Sequence, residues 1–87
     1  MNRNELKATT ASFRKALKDA GVRCNVRMTP GRYNGIQVYT KSYGEEFSVE
    51  DQRTTRRLAI EFGFTHVRGL PIEIDRDTDP FSHEFYC

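Results

Sequence analysis

The stretch Val22-Arg23-Cys24-Asn25-Val26-Arg27-Met28-Thr29, followed by Pro30-Gly31, Asn34-Gly35 and Ile36-Gln37-Val38-Tyr39-Thr40-Lys41, decides the fold. In its first segment apolar residues take every second place, the period of a strand with one buried face. Val22, Cys24, Val26 and Met28 are expected to point inward, and Arg23, Asn25 and Arg27 outward. The two glycine dipeptides are turn signals, so the chain is expected to reverse there and return as a second strand over 36–41. Arg32 and Tyr33 are expected on the tip of that hairpin.

Both flanks of the hairpin change period. From Asn4 to Ala20 the apolar positions Leu6, Phe13, Leu17 and Ala20 recur at helical spacing, with Thr10 and Ala16 on the same side, and Gly21 supplies a stop. Arg3, Lys7, Arg14 and Lys18 then form a basic ridge along one flank. After a linker over 42–47, Ser48 with Val49-Glu50-Asp51 makes an approximate capping box, and a second helix is expected to run to Gly63. Its inner side is read as Thr55, Leu58, Ala59 and Phe62, with Arg53, Arg56, Arg57 and Ile60 on another side. Thr65-His66-Val67-Arg68 reads as a short strand, and Leu70 to Asp75 extends it or adds an edge strand that tolerates Pro71.

The order α-β-β-α-β(β) defines an α+β domain: a small antiparallel sheet of three or four strands with two helices on one face, spanning 1–75, followed by an acidic and aromatic C-terminal tail over 76–87. At 87 residues this is the size of one domain with a thin core. No apolar run approaches the roughly 18 residues that span a bilayer, and the N-terminus lacks a secretory signal, so a cytoplasmic protein without a membrane partner is expected, acting in the host cell if phage-encoded. Two cysteines fit a reducing compartment.

Charge is sorted along the chain. Residues 1–43 carry nine Lys/Arg against two Asp/Glu, a net +7, while residues 44–87 carry five Arg against ten acids, a net −5. Such sorting bears on partner choice rather than on fold. On the basic side, Arg23, Arg27, Arg32, Tyr39 and Lys41, with Lys7, Arg14 and Lys18 from the helix, are candidates for a nucleic-acid-binding surface, since cations neutralise phosphates and Tyr offers a stacking plane. Outward strand positions of any half-solvated sheet are also polar. On the acidic side, Glu73, Asp75, Asp77, Asp79 and Glu84 could imitate a run of phosphates, with Tyr33, Phe81, Phe85 and Tyr86 as aromatic anchors of a protein contact.

Metal and enzyme signatures are weak. An EF-hand loop starting at Asp75 would need Gly at Pro80 and Glu at Tyr86, and fails at both. His83 and Cys87, with His66 and Cys24, could form a zinc set only by long-range convergence. No phosphate loop, nucleophile elbow or metalloprotease helix is present, so no catalytic residue, cofactor or small-molecule substrate is assigned.

Phe13-Arg14-Lys15-Ala16-Leu17-Lys18, the strand Val22 to Arg27 and Tyr33-Asn34-Gly35-Ile36-Gln37-Val38 together resemble a small domain associated with large polyvalent proteins of phages and conjugative elements. The resemblance covers roughly residues 10–62; the Trp-Asp-Gly turn of that pattern is replaced by Tyr39-Thr40-Lys41-Ser42-Tyr43-Gly44. It implies a mobile-element accessory protein. Stand-alone phage proteins of this kind often work by binding, so the leading expectation is a non-enzymatic inhibitor, anti-CRISPR-like, that docks on a host protein or nucleoprotein machine. The alternative is a small nucleic-acid-binding module using the basic sheet face.

Overall fold

The computed structural model describes residues 2–31, 34–67, 69–76 and 80–87. Helix α1 (Arg3–Asp19) starts where the Asn2 side chain accepts the Glu5 backbone N–H at 2.8 Å, and buries Leu6, Thr10, Phe13 and Leu17. It stops because Gly21 adopts φ +81°, letting the Val22 N–H reach Leu17 O and the Gly21 N–H reach Lys18 O, both at 3.0 Å. This is the paired closure of a Schellman motif. Helix α2 (Val49–Glu61) is capped by the Ser48 hydroxyl, which accepts the Asp51 N–H at 3.0 Å, and closes in the same way through Gly63 and Phe64.

The strands are β1 (Asn25–Met28), β2 (Gly35–Tyr39), β3 (His66–Val67), β4 (Leu70–Pro71) and β5 (Ser82–Tyr86). They form a five-stranded sheet in the order β1-β2-β5-β3-β4, with every pairing antiparallel. The α+β class and the hairpin agree with the sequence. The number and order of strands do not, because the segment read as a tail supplies the central strand. The β5 register runs from Gly35↔Tyr86 to Tyr39↔Ser82 against β2, and His66↔Tyr86 and Val67↔Phe85 against β3. Backbone bonds from Thr40 to Phe81 and from Cys87 to Asn34 extend the ladder at both ends. β1 is shorter than expected because Val22 serves the cap of α1.

One sheet face carries the core: Val26, Ile36, Val38 and Phe85 pack with Leu6, Phe13 and Leu17 of α1 and Ala59 of α2. Phe13 lies at its centre, edge-on to Phe62, Phe64 and Phe85 at 5.5, 6.1 and 6.4 Å. His83 stacks on Phe85 and tilts against Phe47. Helix α2 turns Thr55, Leu58, Ala59 and Phe62 to the core as expected, but it also buries Gln52 and Arg56, and Arg56, expected on another side, is only 1% exposed. Among the described residues no helix is long and apolar enough to cross a membrane.

Candidate nucleic-acid interface

Alternation along β1, β2 and β5 sends Arg27, Gln37 and Glu84 outward from adjacent positions of the ladder. Arg27 Nε donates to Gln37 Oε1, Gln37 Nε2 donates to Glu84 Oε1 at 3.0 Å, and the Tyr86 hydroxyl donates to Glu84 Oε2 at 2.9 Å. The Arg27 guanidinium carbon lies 5.6 Å from the centre of the Tyr39 ring, a cation–π contact. The outer face is therefore not uniformly basic: β5 carries a carboxylate from the acidic half of the chain into the basic hairpin. Arg23 of the basic half comes within 4.0 Å of Glu45 of the acidic half, while Arg53 and Asp75, 3.7 Å apart, both belong to the acidic half. The expected separation of a cationic front half from an anionic back half does not hold on this face.

Beside the sheet, where the flank of α1 passes the start of β1, an open groove of about 520 Å³ gathers Arg14, Lys18, Arg23 and Lys41 around Asn25 and Tyr39. Among the described residues no Asp or Glu lines it. Four cations from three parts of the sequence thus face one hollow, where their fields add. Arg14 has a second role, since its Nη2 donates to Val26 O at 2.8 Å on the edge strand β1; Arg3 likewise reaches Thr29 O at 3.2 Å. These contacts stitch the basic ridge to the sheet and cover an edge that would otherwise invite pairing. Lys7 is exposed and lies outside the lining of the groove. Cys24 sits in the groove wall as a neutral thiol, its pKa raised from 9.0 chiefly by burial, with Lys41 opposing and Asp51 adding to the shift. Tyr39 lines both this groove and a smaller hollow of about 210 Å³ shared with Arg27, Gln37, Ser82 and Glu84.

The residues expected to anchor a protein contact do not form one surface. Phe85 is 0% exposed and belongs to the core, so it is corrected from contact anchor to packing residue. Tyr86 and Glu84 are half-buried and bonded to each other, Phe81 is 44% exposed, Glu73 is exposed, and Asp75 is exposed beside Arg53. Asp77, Asp79, Arg32 and Tyr33 lie outside the described residues. The zinc set does not assemble: His83 is buried between Phe47 and Phe85, His66 is exposed with its Nδ1 2.7 Å from the Thr65 hydroxyl, and Cys87 is exposed. Among the described residues no three His, Cys, Asp or Glu side chains are grouped to hold a metal ion.

Of the eight basic-side candidates, Arg14, Lys18, Arg23, Tyr39 and Lys41 converge on the groove, and Arg27 braces Tyr39 from the other hollow. Glu84 and Phe85 are both misplaced by the sequence reading; the alternation of His83 and Phe85 with Ser82, Glu84 and Tyr86 was the signal for both, hidden because histidine does not score as apolar. Compared with known proteins, the chain matches no family model, no curated protein and no solved structure.

Proposed function

We propose that this protein is a non-enzymatic nucleic-acid-binding module that holds a phosphate backbone in the groove between α1 and β1. One observation carries the reading: Arg14, Lys18, Arg23 and Lys41 meet around a single hollow that no carboxylate of the described residues lines, although Arg23 also reaches Glu45 at 4.0 Å. A polyanion entering it would replace condensed counterions with fixed cations, and the released ions supply the driving force. The reading stands on this geometry and owes nothing to the phage-domain resemblance. It is favoured over docking through the acidic residues because Glu84 is committed to Gln37 and Tyr86, Asp75 lies against Arg53, and Phe85 is inside the core.

Fluorescence anisotropy with labelled oligonucleotides over a salt series tests it. If all four cations contact phosphate, the logarithm of the association constant should fall against that of salt with a slope of about −3 to −4. Reversing Arg23 and Lys41 together to Glu should abolish binding at low salt while leaving the melting temperature nearly unchanged, because both side chains are exposed. Undiminished binding by that variant, or a slope near zero, would overturn the assignment.

A further inference from the structure

We infer that the groove takes a single strand, with one unpaired base laid on the ring of Tyr39; this rests on the nucleic-acid reading above and specifies its ligand. A duplex is read by helices or ribbons that protrude into its grooves, whereas here the cations line a hollow. At about 520 Å³ that hollow lies within the usual size range of sites that enclose small ligands. It has room for a nucleotide, while a rigid double helix would meet only its rim.

Tyr39 is built as a platform. It is half-buried, points outward from β2 and belongs to both hollows. The Arg27 guanidinium lies over the ring and lines the smaller hollow with it, and Arg27 does not line the groove, which Tyr39 does. Arg27 is itself held by Gln37, Gln37 by Glu84, and Glu84 by Tyr86. A ring fixed in advance loses little freedom when a base stacks on it. Asn25, the ladder partner of Tyr39, lines the same groove and offers an amide donor and acceptor to the edge of that base. Arg14 and Lys18 stand one helical turn apart along the opposite wall, where they can follow a strand's phosphates.

Anisotropy with a short thymidine oligomer, an abasic oligomer of equal phosphate count and a duplex of equal length separates the stacking claim from the charge claim. The thymidine oligomer should bind about 5- to 150-fold more tightly than the abasic one, the worth of one stacked base, and more tightly than the duplex. Tyr39→Leu should erase the preference over the abasic strand without changing abasic binding, and Tyr39→Phe should keep it. A preference that survives Tyr39→Leu, or abasic or duplex binding as tight as thymidine binding in the wild type, refutes the base platform while leaving a phosphate-binding groove. If no oligomer binds at low salt, the nucleic-acid reading itself falls. Should Tyr39→Leu fail to fold, photocrosslinking of a halouracil-substituted strand to the wild type decides: adduct on Tyr39 supports the inference, and adduct only elsewhere refutes it.

Discussion

Gly35 stands in β2 directly across from Tyr86, and a Cβ placed on it would come within 2.5 and 2.6 Å of the Tyr86 ring and 2.8 Å of the Phe85 carbonyl. The ring therefore lies over bare backbone, a close approach that only glycine permits. Asn34-Gly35 reads as a turn dipeptide in the sequence, yet Gly35 already belongs to the strand and is not among the glycines of positive φ. The sequence marks the position as special but hides the cause, because the ring that demands it lies at the far end of the chain. Gly35→Ala should destabilise the protein by about 1–3 kcal/mol, the range for overpacking a filled site, read as a fall in the urea midpoint. Adding Tyr86→Ala should recover only part of that loss, since the Phe85 carbonyl is backbone and cannot withdraw. An unchanged midpoint for Gly35→Ala would contradict the packing described.

Among the elements, α2 departs furthest from its hydropathy pattern. Gln52, Thr55, Arg56 and Ala59 make a regular helical stripe at spacings of three, one and three, but three of the four are polar, so an apolar reading finds the side of Thr55, Leu58, Ala59 and Phe62 and misses the burial of Gln52 and Arg56. Each of the three polar groups makes a local bond, Arg56 through its Nε. Gln52 Nε2 donates to Phe47 O at 3.2 Å, the Thr55 hydroxyl to Asp51 O at 2.7 Å, and Arg56 Nε to Gln52 O at 3.3 Å. Helix ends were legible, since Ser48, Gly21 and Gly63 act through their own local chemistry; the burial of Gln52 and Arg56 on α2 was not, since it depends on what the fold brings against them. Arg56 is the largest fully buried side chain of the described residues. Its replacement by Ala should cost at least about 2 kcal/mol by opening a cavity, whereas Arg57→Ala, one residue on and exposed, should stay within about 0.5 kcal/mol. Equal effects of the two in denaturant melts would show that Arg56 does not fill the interior.

At the scale of the molecule, topology overrides the order of charges along the chain. The hairpin and the helices rest on contacts that are near in sequence, but β5 finds its place between β2 and β3 through pairings such as Gln37 with Glu84, 47 residues apart, which leave no local signature. This late strand ties the basic hairpin to the acidic half and supplies Phe85 to the cluster around Phe13, while Pro80, just before it, accepts the Phe47 N–H at 2.7 Å. A chain ending at Pro80 separates a tail from a central strand. If residues 81–87 merely trailed from the domain, their removal would leave the melting transition where it was. With β5 at the centre, removal strips β2 and β3 of their shared neighbour and takes Phe85 out of the core, a loss worth about 3–5 kcal/mol for the aromatic ring alone. Domains of this kind are stable by only about 5–15 kcal/mol in total, so the truncated chain should lose its cooperative thermal transition and its amide chemical-shift dispersion. A truncated chain that still melts cooperatively, with the midpoint of the full-length protein, would remove β5 from the centre of the sheet.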